Sequence, residues 1–165
     1  MHTTITSLIK SAFIALLLTA ASTAHAEKSV IVSEPSSPVT IAHYLPRFGS
    51  NNIGLMIKHD VEVTASGSQP VDAYSIRVIL FDAFNDYVGN WNIYVPETLQ
   101  VGGSKKSAYF IQQNVSAAFE RFGTGAAYVS KVRYRDGTIW EADKDYVLSE
   151  LQKISPDMLS ENLED

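Results

Sequence analysis

The feature that most constrains this chain is the period-two alternation between Ala73 and Asp82. Tyr74, Ile76, Val78 and Leu80 share one face, as only an extended strand allows. Ser75 and Arg77 begin the opposite face, and Ile79 and Phe81 continue it, so the strand becomes apolar on both sides towards its end. Similar alternation marks Val39–Leu45, Ile53–Thr64, Val88–Val95, Lys106–Gln112, Tyr128–Arg135 and Thr138–Ala142. Turn-forming clusters separate these runs: Glu34-Pro35-Ser36-Ser37-Pro38, Ser66-Gly67-Ser68-Gln69-Pro70 and Val101-Gly102-Gly103-Ser104. About seven short strands with regular turn signals predict a mainly β, antiparallel sandwich in a single domain.

The hairpin around Arg135-Asp136-Gly137 has two readings. A two-residue Asp-Gly loop would set Tyr134 beside Ile139. A three-residue loop with Gly137 left-handed would pair Val132 with Trp140 and turn the indole inward. The second buries more apolar area and is the expectation.

Two segments carry helical spacing instead. Val115, Ala118, Phe119 and Phe122 follow Asn114 and precede Gly123, which predicts a short inserted helix. Val147, Leu148, Leu151 and Ile154 form a stripe behind a capping Asp143, which predicts an amphipathic C-terminal helix. Ser155-Pro156 stops it and can start a last helical turn through Met158, Leu159 and Leu163.

The ends differ from the body. Residues 1–26 combine Lys10, the apolar run Ala12–Leu18 and the small-residue site Ala24-His25-Ala26, the pattern of a secretory signal peptide. Cleavage would leave Glu27 first, with no span of membrane-crossing length remaining. Residues 27–142 then form the sandwich and residues 143–165 an acidic tail. That tail holds Asp143, Asp145, Glu150, Asp157, Glu161, Glu164 and Asp165 against Lys144 and Lys153. The expected location is the bacterial periplasm or outside the cell, a setting in which the sequon Asn114-Val115-Ser116 carries no meaning.

Composition excludes several chemistries. The chain of 165 residues has no cysteine, which removes disulfides, thiolate metal centres and thiol nucleophiles. Its 18 acidic against 13 basic residues argue against nucleic-acid binding. After residue 26 there is no Gly-x-Ser-x-Gly, Ser-x-x-Lys or His-Glu-x-x-His motif. His43, Met56 and His59 are the one set suggesting a copper site, but Met56 and His59 point to opposite faces of a strand. Asp82 with Asp86 reads as a capped loop rather than a paired-carboxylate site. Asn85, Asp86 and Asn90 are too loosely spaced for a calcium loop, and Gly102-Gly103 leads into a strand rather than a phosphate-binding helix. No catalytic residue, metal or cofactor is expected.

Two surface elements remain. The stretch from Phe84 to Tyr94 interleaves aromatics with amides, and Tyr87, Asn90, Trp91 and Tyr94 could make a sugar-stacking platform; alternatively Tyr87, Trp91 and Ile93 point inward. Lys131, Arg133 and Arg135 form a basic stripe that is either solvated or receives the acidic tail.

Val78-Ile79-Leu80-Phe81-Asp82 resembles the Phe-x-Leu-Tyr-Asp motif of FxLYD-type immunoglobulin-like domains of bacterial extracytoplasmic proteins. Leu99-Gln100-Val101-Gly102-Gly103 and Phe110 stand where that family has a turn and a following strand. The resemblance covers roughly residues 55–142, leaves out the Phe119 segment and the tail, and implies a non-catalytic accessory module. The function expected is therefore protein interaction with another envelope protein. A carbohydrate- or peptidoglycan-binding module is the alternative, and an unrecognised hydrolase the third. The tail's apolar stripe should dock on its own sandwich, or else serve a partner.

Overall fold

A computed structural model describes residues 28–51, 54–112 and 122–164. The signal segment, the sequon and most of the expected inserted helix lie outside the described residues. The strands are β1 (Lys28–Ile31), β2 (Val39–Asn51), β3 (Gly54–Ala65), β4 (Val71–Asp82), β5 (Tyr87–Val95), β6 (Ser104–Gln112), β7 (Phe122–Tyr134) and β8 (Ile139–Glu141). A helix, α1 (Lys144–Leu151), and a 3-10 turn at Ser160–Leu163 follow.

Two sheets form, one of order β1-β7-β4-β5 with β8 also on β7, the other of order β2-β3-β6. β4 takes one edge of β7. The other edge is shared: β1 runs parallel beside Thr124–Ala127, and β8 runs antiparallel beside Lys131–Arg133. The remaining pairings are antiparallel. The chain crosses between the sheets after β1, β3, β5 and β6, which gives the immunoglobulin-like sandwich. The parallel β1 pairing is a departure from the all-antiparallel expectation.

The alternation in β4 builds the core. Tyr74, Ile76 and Val78 face Tyr44, Val61 and Val63 of the opposite sheet, with Val129 and Val132 alongside. Leu80 packs with Ile57 and Phe122 at one end. The hairpin adopts the three-residue loop: Gly137 has φ 87° and Val132 pairs with Trp140, which packs on the core. Asp82 caps its own loop, its Oδ1 accepting from the amides of Phe84 (2.8 Å) and Asp86 (3.1 Å).

The tail is the third layer. Asp143 caps α1 through the amides of Asp145 and Tyr146. Val147, Leu151, Met158 and Leu163 are buried against Ile79, Phe81, Ala126 and Tyr128 on the outer face of the larger sheet. The doubly apolar end of β4 is thus covered on both sides.

Three expectations need correction. Phe122 and Gly123, read as the end of the inserted helix, belong to β7. A Cβ on Gly123 would fall 2.8 Å from the Asp82 carbonyl, so glycine here serves strand packing rather than a helix cap. The last turn does not start at Pro156 but is a 3-10 turn from Ser160, and Leu159 points outward. The ion pairs of the basic stripe among the described residues run to the body rather than to the tail: Lys131 pairs with Glu141 and Arg135 with Asp72. Buried apolar side chains dock the tail, and hydrogen bonds from Arg77 and Asn90 to the Leu163 and Asn162 carbonyls tie down its end.

Candidate functional site

The tail covers only one end of the outer sheet face. The other end presents three cross-strand rows fixed by register. Tyr94, Ser75, Lys131 and Glu141 form the middle row across β5, β4, β7 and β8. Asn92, Arg77 and Tyr128 lie on the tail side of it, and Ala73, Arg133 and Ile139 on the far side.

A polar cleft of about 200 Å³ opens between the first two rows and the tail. Ser75, Arg77, Asn92 and Ser130 form its floor, and Lys131, Glu141, Lys144 and Glu164 its charged rim. An apolar hollow of about 160 Å³ lies on the other side of the middle row, against Ala73, Tyr74, Val95 and Pro96. Ser75, Tyr94 and Lys131 border both spaces.

Arg77 is only 5% exposed. Its Nε donates to Asn92 Oδ1 at 3.1 Å and its Nη1 donates to the Leu163 carbonyl. A buried guanidinium therefore ties the tail's end to the cleft floor. Ser75 is equally buried, and its Oγ has no hydrogen-bond partner among the described residues. Such a group costs free energy unless something satisfies it. At the rim, Lys131–Glu141 (2.8 Å) and Lys144–Glu164 (2.9 Å) are exposed pairs, which contribute little to stability.

The structure separates the residues singled out in the sequence. Tyr94 is 72% exposed at the cleft's edge, with Lys131 and Arg133 close by on the same face. Arg133 makes no ion pair among the described residues, whereas Arg135 is turned to Asp72 at the hairpin. Trp91 lies opposite Val78 on the inner face and packs on the core. Tyr87 and Asn90 hold the tail: Asn90 Nδ2 donates to the Asn162 carbonyl (2.8 Å) and to Tyr87 Oη (2.9 Å). Tyr87 faces outward because the β4–β5 register shifts between Leu80 and Phe81. The four platform residues thus occupy two faces, and two of them are engaged with the chain's own tail. Ser75, Arg77 and Asn92 were not singled out, although the two polar positions in the middle of β4, a strand otherwise apolar on both faces, were a visible signal for Ser75 and Arg77.

His43, Met56 and His59 do not converge. His43 is exposed on the outer face of the smaller sheet, while His59 is fully buried between the sheets. The Tyr44 hydroxyl lies 3.0 Å from His59 Nδ1, and the rings stack with centroids 5.8 Å apart. Burial lowers the His59 pKa to about 4, with Asp60 opposing, and raises that of Tyr44 above the ordinary phenol value. His59 is neutral at pH 7, and its Nε2 finds no partner among the described residues. The smaller sheet's outer face carries matched charges, Lys58–Asp60 (2.6 Å) and Lys106–Glu62 (3.3 Å). No helix among the described residues is long and apolar enough to cross a membrane.

No protein-family model and no curated protein matches the chain. Among solved structures, a hypothetical protein from Peptoclostridium difficile 630 aligns with TM-score 0.49 and 9% identity, over 73% of this chain and 93% of that one. A protein described as ApaA from Bordetella pertussis aligns with TM-score 0.36 and 13% identity, over 63% of this chain and 85% of that one.

Proposed function

We propose that the protein is a non-enzymatic interaction module of the bacterial cell envelope, exported by residues 1–26. It engages another envelope protein through the open end of the larger sheet. The observation that carries this reading is Tyr94, 72% exposed beside Lys131 and Arg133 on a sheet whose other face is core. Tyrosine and arginine on a rigid support are the side chains most often dominant in protein recognition. Backbone pairing fixes the main chain of these residues before any partner arrives, so the ordering cost of binding falls on their side chains alone. The resemblance of Val78–Asp82 to the FxLYD motif supports an accessory role.

A photo-crosslinking residue at position 94, expressed in the native envelope, tests the reading. One protein adduct should form there and be lost in Arg133→Glu. The same residue at position 62, on the other sheet, should give none. Equal adducts at both positions, or none at 94, would overturn the proposal.

A further inference from the structure

The polar cleft and the apolar hollow border the same three residues, so two unlike chemical groups can sit within one residue's reach of each other. We propose that this composite site takes the C-terminal residue of a partner chain, its α-carboxylate in the cleft and its apolar side chain in the hollow. This inference rests on the interaction reading above and specifies the partner's end.

The cleft favours an anion for three reasons. Lys131 and Lys144 stand at its rim. Glu141 and Glu164, which pair with them, are each 62% exposed and can be exchanged at small cost. Arg77 lies in the floor, and Ser75 Oγ, sealed and without a partner, is a spare donor beside it. The hollow exposes almost no polar surface, and Tyr94 borders both spaces.

A C-terminal residue suits this better than an acidic residue within a chain. Carboxylate and side chain then hang from one Cα. In an extended chain, neighbouring side chains point to opposite faces. A volume near 200 Å³ also accommodates a carboxylate with its first waters, each water occupying about 30 Å³.

The probe is N-acetyl-L-phenylalanine, with its carboxamide as the uncharged counterpart, titrated into the ¹⁵N-labelled protein. Shifts are expected at residues 73–77, 92–96 and 131–133, saturating in the millimolar range, with the amide at least about fivefold weaker, the loss of one charge-assisted contact. Tyr94→Ala and Lys131→Gln should each weaken the acid. Ser75→Ala should weaken it too, while leaving the melting temperature unchanged or raised, which a purely structural serine would not do. Equal binding of acid and amide, shifts mapping elsewhere, or no saturation below about 50 mM would overturn the proposal. A crosslink at position 94 without acid binding sinks the carboxylate inference alone. Acid binding without that crosslink upholds the site and sinks the envelope-protein reading.

Discussion

Leu151→Ala should destabilise the whole protein, although it alters the last turn of a helix outside both sheets. Leu151 is fully buried with Val147, Met158 and Leu163 against Ile79 and Phe81. Truncating such a leucine costs roughly 2–5 kcal/mol, the lost transfer energy plus the cavity left behind. For a chain of this size each kcal/mol lowers the midpoint by about 3 °C, so the melt should fall by about 6–15 °C. Leu159→Ala is the internal control: it lies in the same segment but is 55% exposed. Its cost should stay within about 0.5 kcal/mol. Thermal and urea melts followed by far-UV circular dichroism read both. The pair Leu151→Ala and Phe81→Leu should be non-additive by about 0.5–3 kcal/mol, because the two side chains belong to one cluster. If Leu151→Ala costs no more than Leu159→Ala, the tail is not a structural layer and the docking argument fails.

The unfolded chain protonates His59 near pH 6.5 and the folded chain only near 4, so its contribution is intact above pH 6.5 and lost as pH falls towards 4. The loss totals about 3 kcal/mol, at 1.36 kcal/mol per pH unit, and should vanish from the melting profile of Tyr44→Phe/His59→Leu; an identical acid slope in that variant would refute it. Gly125→Ala places a Cβ 2.8 Å from both the Tyr44 hydroxyl and Pro46 Cγ, and should cost about 1–3 kcal/mol in urea unfolding. Protein recovered from outside the cytoplasm should have an intact mass beginning at Glu27, and a mass that includes residues 1–26 would contradict export by cleavage.

Much of the sandwich could be read from the sequence because its strands alternate and its turns use diagnostic residues. Ala73–Asp82 and the Gly137 hairpin are the clearest cases. β1 was not legible: four residues, Lys28–Ile31, pair with residues near 125, and no local pattern signals a partner so distant in sequence. The start of β7 was misread for a different reason. Phe122-Gly123-Thr124-Gly125-Ala126-Ala127 has low strand propensity, yet its small side chains are what the packing requires. Ala126 and Ala127 are fully buried, and Gly125 leaves room for Tyr44 and Pro46. At the site, Tyr94, Lys131 and Arg133 were legible as surface residues, and all three are exposed. The side of the sheet on which Tyr87 falls was not, because one register shift in the β4–β5 pair moves it to the outer face.

The division of the outer face into covered and open ends follows from β4 itself. Its outward positions run Ala73, Ser75, Arg77, Ile79, Phe81. The last two demand an apolar cover, and α1 with the turn at Ser160–Leu163 supplies it. The first three do not, so the cover stops there. Arg77 sits at the border and donates to the Leu163 carbonyl, holding the tail's edge in register with the cleft. Glu164 then comes within 2.9 Å of Lys144, and both stand on the cleft's rim. The tail is thus a structural layer and one wall of the candidate site. Loosening its docking should disturb the cleft even where no residue of the sheet is changed.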